Sequence, residues 1–167
     1  GTHLPPDSLG EICISPRQDG PWKGVWSPML GYWRKPKETV EALKDNRLHT
    51  GDIGLKNKDD HLIVIGRLSD VIVRGGANIH PTEIERVLLS FPVVDEAAVI
   101  GVPDQRLGEK VYAAITVNRD IDVHEISDQM TKHLARYKIP EKILIVPALP
   151  RNAMGKVDRE RLRGHFL

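Results

Sequence analysis

Val71-Ile72-Val73-Arg74-Gly75-Gly76-Ala77-Asn78-Ile79-His80-Pro81-Thr82-Glu83-Ile84-Glu85-Arg86-Val87-Leu88-Leu89-Ser90 contains a short β-branched run, a double glycine and an amphipathic stretch. The run Val71 to Val73 predicts a strand, and Gly75-Gly76 ends it. Pro81 opens a helix that extends to Ser90. Proline suits a first helical turn, Glu83 and Glu85 suit the positive N-terminal end, and Ile84, Val87 and Leu88 share one face. Pro92 stops the helix. Further on, Ala97 to Val102 and Val111 to Val117 read as strands, the second with Val111, Ala113, Ile115 and Val117 on one side. Val123 to Ala135 reads as a helix on which Ile126, Met130 and Leu134 recur every four residues. Ile143 to Val146 reads as a buried strand and Asp158 to Arg163 as a short terminal helix. Strands interleaved with helices predict an α+β domain, a small mixed sheet with helices packed against it, over residues 69–167.

Toward the N-terminus the pattern changes to β structure. Gly10 to Ile14 alternates weakly before Ser15 and Pro16, a strand and its stop. Pro16 to Pro28 is a loop rich in Gly, Pro and Trp. Pro36 to Lys44 forms a short helix, with Pro36 in its first turn. Leu55-Lys56 and Leu62 to Ile65 are strands joined by the polar turn Lys58-Asp59-Asp60. Residues 1–68 are therefore a separate, β-rich segment. No repeat or low-complexity stretch is present.

The bulk composition narrows the function classes. Acidic and basic residues nearly cancel, leaving a formal charge of +1. That balance argues against a nucleic-acid or anionic-membrane partner. The one cysteine, Cys13, excludes an internal disulfide and fits a reducing cytoplasm. No apolar run reaches the length of a membrane span. Gly1-Thr2 is not an initiator methionine, so a processed, cloned or truncated start is expected. Of the seven histidines only His124 and His133 lie near one helix, nine apart, so no metal site is expected. No Gly-x-Ser-x-Gly turn supplies a hydrolase nucleophile.

Four stretches carry candidate chemistry. In Leu48-His49-Thr50-Gly51-Asp52-Ile53-Gly54, Gly51-Asp52 is either a turn between strands or a carboxylate presented by a tight glycine turn, where it would accept two bonds from a diol such as a ribose. In Gly66-Arg67-Leu68-Ser69-Asp70, Arg67 is either half of a surface pair or a guanidinium near a phosphate or ribose at a chain joint. Gly75-Gly76 is either a turn or a bare backbone beside a narrow ligand, and its spacing does not match a dinucleotide or phosphate-loop fingerprint. In Leu149-Pro150-Arg151-Asn152-Ala153-Met154-Gly155-Lys156-Val157-Asp158, Lys156 is either solvated or a cationic arm suited to phosphate, projected from a loop.

Taken in order, Gly10-Glu11-Ile12, Gly31-Tyr32, Thr50-Gly51-Asp52, Gly66-Arg67, Glu83-Ile84-Glu85, Arg136-Tyr137-Lys138-Ile139-Pro140 and Gly155-Lys156-Val157 resemble the later core motifs of the adenylate-forming superfamily. That superfamily includes acyl- and aryl-CoA synthetases, luciferases and the adenylation domains of peptide synthetases. The run Gly75 to Glu85 looks like the CoA-ligase version, that of aryl, benzoate-type and medium-chain enzymes. The resemblance implies the C-terminal part of an ATP-dependent acyl-CoA synthetase of fatty or aromatic acid metabolism. Residues 1–68 would be the end of its large N-terminal domain and residues 69–167 its mobile C-terminal domain. It implies that Asp52 binds the ribose hydroxyls of ATP and that Arg67 contacts ribose or phosphate. Lys156 is the implied catalytic residue, bridging the substrate carboxylate and the α-phosphate. Gly75 and Gly76 would line the CoA path, and Ser69 would be the hinge, where the family carries Asp or Lys. ATP, CoA and Mg2+ are implied, with Mg2+ held mostly by the missing domain, so the fragment alone is expected to be inactive. A domain that loads a carrier protein, or a non-catalytic interaction module, are the alternatives.

Overall fold

A computed structural model of the chain describes residues 3–166. The extreme ends of the two predicted segments, residues 1, 2 and 167, lie outside the described residues. The chain divides into two compact units, Gly1–Ser69 and Asp70–Leu167.

The first unit is a three-stranded antiparallel sheet in the order β1 (Gly10–Ile14), β2 (Leu48–Lys56), β3 (Leu62–Arg67). Helix α1 (Pro36–Ala42) precedes β2 and stops short of the predicted Lys44. The Leu43 N–H closes it on Thr39, and Lys44–Asn46 tighten into a 3-10 turn with Asp45 at φ 55°. The β2–β3 turn is polar, as its composition requires. Asn57 Oδ1 accepts the N–H groups of Asp59 (3.0 Å) and His61 (2.8 Å). Strand β2 begins seven residues earlier than the pattern suggests, because it runs straight through Thr50-Gly51-Asp52. Among the described hydrophobic residues of this unit only Ala42 and Ile53 are buried, while Leu4, Leu9, Ile14, Leu62, Ile63 and Val64 are exposed. The sheet is built, but its apolar residues have little to pack on.

The second unit carries β4 (Ile72–Arg74), β5 (Ala77–Ile79), α2 (Pro81–Leu89), β6 (Val94–Asp104), β7 (Gly108–Val117), α3 (Val123–Met130), β8 (Lys142–Ile145) and α4 (Arg159–Gly164). Its five strands form one sheet in the order β5-β4-β7-β6, with β8 also pairing β7. The β7–β8 pair is parallel and the others antiparallel, so the α+β class and the mixed sheet match the expectation. Strand β7 is central and is covered on both faces. On one side Val111, Ala113 and Ile115 pack with Ile84 and Leu88 of α2 and Ile126 and Met130 of α3. On the other, Ala114 packs with Ala98, Ile100, Leu149 and Leu162 of α4.

In this unit α3, β8 and β6 also depart from the sequence pattern. Helix α3 ends at Met130, not Ala135. There the N–H groups of Thr131, Lys132 and His133 bond three residues back, tightening the chain into turns that still bury Leu134. Strand β8 is half-buried on the margin of the sheet, with Ile145 44% exposed, because only β7 pairs with it. Strand β6 continues through Pro103 to Asp104, which its place at the end of the sheet permits, since a proline there forfeits no inner ladder bond.

The β6–β7 connection carries a perturbed carboxyl. Asp104 accepts from Lys110 Nζ (2.9 Å) and from the N–H groups of Leu107 (2.9 Å) and Arg106 (3.0 Å). The Lys110 hydrogen bond foremost, then these two amides, hold its carboxyl down from the usual 3.8 to about 2. A folded-state value below the unfolded one gives stability that is fully present above the unfolded value and is lost as pH falls through the folded one. The unfolding midpoint of the Asp104→Asn variant, scanned by circular dichroism, should therefore lack part of the decline the parent shows between pH 3.8 and 2. Identical slopes would refute the assignment.

Candidate functional site

Asp52 is presented by a bulge. Glu11 pairs with Ile53 and Cys13 with His49, so Ile12 alone opposes Thr50, Gly51 and Asp52. The extra backbone is accommodated by Gly51 at φ 72°, a conformation that glycine adopts without strain. Side chains then fasten it. Thr50 Oγ1 donates to the Ile12 carbonyl (2.7 Å) and accepts the Asp52 N–H (3.1 Å), and Glu11 Oε1 accepts the Gly51 N–H (3.2 Å). Gly51-Asp52 is thus a distortion within one strand and not a turn between two.

Directly across the β2–β3 ladder from Asp52 stands Arg67, whose Nε donates to Asp52 Oδ1 at 2.7 Å. The two side chains are 35% and 59% exposed. An ion pair this open is worth between nothing and about 1 kcal/mol. Its chemical content is therefore a carboxylate and a guanidinium fixed side by side at the surface, suited to a ligand that offers hydroxyls and phosphate together.

Gly75 and Gly76 form the two-residue loop of the β4–β5 hairpin, closed by the Arg74–Ala77 pair. Their φ values, 57° and 82°, are both positive, as a type I′ hairpin turn demands. The strand β5 beyond them was not legible, because the double glycine reads as a terminator. The turn accounts for the glycines, and open space lies over Gly76. Ser69 is exposed, in the 3-10 turn Leu68–Asp70, and is the last residue of the first unit.

Lys156 lies in a small hairpin between β8 and α4, pinned by the Arg151–Val157 bridge. Its backbone is bonded on both sides, with the N–H to Asn152 Oδ1 (3.0 Å) and the carbonyl to the Asn152 N–H (2.8 Å). The side chain is exposed. Asp52 and Arg67 thus belong to the first unit, and Gly75, Gly76 and Lys156 to the second.

The partners of several motif residues escaped the sequence pattern. Glu83 holds Lys138 through both carboxylate oxygens (2.7 Å each), and Arg74 donates to the Tyr137 carbonyl (3.0 Å) and pairs with Glu141. Glu85 accepts the Val99 N–H (2.9 Å) and Arg159 Nη2 (2.8 Å), tying α2 to β6 and α4. Two of the motifs are thus clasps on the second unit's frame.

In the first unit Glu11, Cys13 and His49 bring one ligand atom each within 4.8 Å of one another. The trio is bonded together as a brace between β1 and β2. The His49 Nδ1 to Glu11 Oε2 distance is 2.8 Å, a hydrogen bond. Burial, then the Glu11 carboxylate, pushes the Cys13 thiol up. Among the described residues the buried His49 Nε2 has no hydrogen-bond partner. Only the register of β1 on β2 reveals the trio. An open cavity of about 560 Å³ beside it is lined by none of Asp52, Arg67 and Lys156.

Among the described residues no helix is long and apolar enough to cross a membrane. Comparison with known proteins gives a consistent picture. Residues 83–156 match the model of the AMP-binding enzyme C-terminal domain. The chain is 38% identical to feruloyl-CoA synthase of an Amycolatopsis species, across 99% of this chain and 32% of the relative. It is 34% identical to the fatty acid–[acyl-carrier-protein] ligase ScoC of Streptomyces coeruleorubidus, across 99% of this chain and 31% of the relative. The structure of o-succinylbenzoate CoA synthetase (MenE) of Bacillus subtilis with its acyl-adenylate intermediate superposes with a TM-score of 0.80 and 35% identity, covering 96% of this chain and 31% of that one. The chain spans about a third of the length of these relatives and corresponds to their C-terminal part.

Proposed function

Because the chain belongs to the adenylate-forming enzymes, as their C-terminal part with its AMP-binding enzyme C-terminal domain, we propose that it serves an ATP-dependent acid–thiol ligase that makes an acyl-CoA. In the first half-reaction a carboxylate oxygen attacks the α-phosphorus of ATP and the bond to pyrophosphate breaks, leaving acyl-AMP. In the second the CoA thiol, losing its proton, attacks the acyl carbonyl and AMP leaves. The observation that carries this reading is the Lys156 loop, whose backbone is bonded on both sides while its ammonium has no partner in the described structure.

The groups divide the work by their chemistry. Asp52 takes the ribose diol, with its Oδ1 already committed to Arg67, and Arg67 faces ribose or phosphate. Lys156 offsets the repulsion between carboxylate and α-phosphate as a compact charge. Gly75 and Gly76 flank the thiol's approach, where a bare turn leaves space. Asp70–Leu167 swings about Ser69 between the two half-reactions, since one face delivers the lysine and another admits the thiol. Mg2+ enters with ATP. The one three-ligand cluster among the described residues offers a thiol and an imidazole, a poor match for an ion that prefers oxygen. The acyl pocket and the phosphate loop belong to the remaining two thirds, so we expect this chain by itself to turn nothing over. The reducing cytoplasm suits its lone thiol.

Pyrophosphate exchange into ATP, driven by a panel of carboxylic acids and the full-length protein, tests the first half. We expect exchange, then thioester formation with CoA. The similarity to ScoC favours a second acceptor, a carrier protein, which the same assay run with a pantetheinylated carrier distinguishes. Absence of exchange with every acid would leave only the interaction module.

A further inference from the structure

We propose that Asn152 is a positioning residue for Lys156, and that Arg151 anchors the resulting loop to the sheet. The proposal rests on the assignment of Lys156 to carboxylate activation, and it goes beyond it by naming what aims the ammonium.

Asn152 makes four hydrogen bonds within five residues of chain. Its Oδ1 accepts the N–H groups of Met154 (3.0 Å) and Lys156 (3.0 Å). Its own N–H donates to the Lys156 carbonyl (2.8 Å), and its carbonyl accepts the Gly155 N–H (2.9 Å). Both peptide groups that flank the Lys156 Cα are thus held by one side chain and its backbone. A lysine side chain has four rotatable carbons and no stiffness of its own, so the direction in which it leaves is set by its backbone. Asparagine suits this position because its short amide carbonyl reaches N–H groups two and four residues on without a charge. An aspartate would reach as far, but its anion would compete for the ammonium it is meant to aim.

Arg151 supplies the second arm. Its Nη1 donates to the Gly155 carbonyl (2.8 Å), and its Nη2 pairs with Glu96 of β6. The loop is thereby referred to the central sheet. Every residue from Asn152 to Lys156 is exposed, so burial does not explain this density of bonds. Exposed loops are ordinarily the mobile part of a fold. Here an exposed loop is fastened at each peptide around one lysine, which is what a device for holding a charge in place requires.

The test uses the full-length enzyme and this chain. Asn152→Ala should lower the adenylation rate roughly ten- to a hundredfold, the penalty for misplacing a reacting group by about 1 Å. Thioester formation from supplied acyl-adenylate and the unfolding midpoint should hardly move. Asn152→Asp, which restores the acceptor, should recover part of the loss. Nuclear magnetic relaxation of the Lys156 amide in the 167-residue chain should report a rigid parent and a mobile Asn152→Ala variant. Unaltered adenylation in Asn152→Ala, beside a Lys156→Ala variant that is impaired, overturns the positioning role alone. So do equal losses in both half-reactions, or an amide that stays rigid. A Lys156→Ala variant without effect fails the underlying assignment instead.

Discussion

Replacing Lys156 with alanine in the full-length enzyme lowers adenylation of the carboxylic acid by about two to three powers of ten, and leaves the thioester step largely intact. The carboxylate must approach a phosphorus already ringed by anionic oxygens, so the barrier is one of charge and placement. Removing a single preorganised donor from such a site costs roughly 2.7–4 kcal/mol, and each 1.36 kcal/mol is tenfold in rate. The side chain is exposed and the loop is held by backbone bonds to Asn152, so its loss does not disturb the fold. The two half-reactions give the discriminating measurement. On the proposed assignment, pyrophosphate exchange needs the ammonium between acid and α-phosphate. Attack of a thiol on acyl-AMP does not, because the acid is already bonded to phosphorus. Equal losses in both steps would mean that Lys156 acts on the protein as a whole and not on the first reaction. An arginine at 156 should recover little, since its broad planar fork is not a compact charge.

The parts of this design that could be read in advance are those set by nearest neighbours. Pro81 at a helix start, the Ile84-Leu88 face and the Asp158 start of α4 follow from local rules, and each is found. The order of the short motifs sufficed to recognise the family. What stayed hidden depends on pairing. Gly75-Gly76 ends one strand and begins another, which becomes visible only when Arg74 meets Ala77. Thr50-Gly51-Asp52 resembles a turn until Ile12 is found opposite it, and the Glu11–His49 brace exists only in that register. Leu134 kept its place in the core while the helix that should have carried it ended at Met130, because turns can bury a side chain as well as a helix can. The Asn152 clamp was local enough to suspect, as asparagine commonly bonds the backbone two residues on. Its significance depends on which residue sits four places later.

The Ile115→Ala variant loses about 2–5 kcal/mol of stability from the second unit, the cost typical of emptying a fully buried aliphatic site. Ile115 lies on the central strand β7, with no exposed surface, among Ile84, Leu88, Ile126 and Met130. Its neighbours come from two helices and a sheet that constrain each other, so the cavity cannot collapse cheaply. A domain of this size is stable by only about 5–15 kcal/mol, which makes the loss a large fraction of the total. The same change at Ile63 in the first unit, 43% exposed on β3, should shift stability by no more than about 0.5 kcal/mol. The probes separate the two units. Trp22, Trp26 and Trp33 all lie in the first, so tryptophan fluorescence follows that unit, whereas the tyrosines are divided, Tyr32 in the first and Tyr112 and Tyr137 in the second, so the second is followed by its resistance to proteolysis. Urea melts of Ile115→Ala should show the tryptophan transition unmoved while the proteolytic resistance of the second unit fails at lower denaturant. If both signals moved together by the same amount, the units would unfold as one cooperative body and Ile115 would support them both.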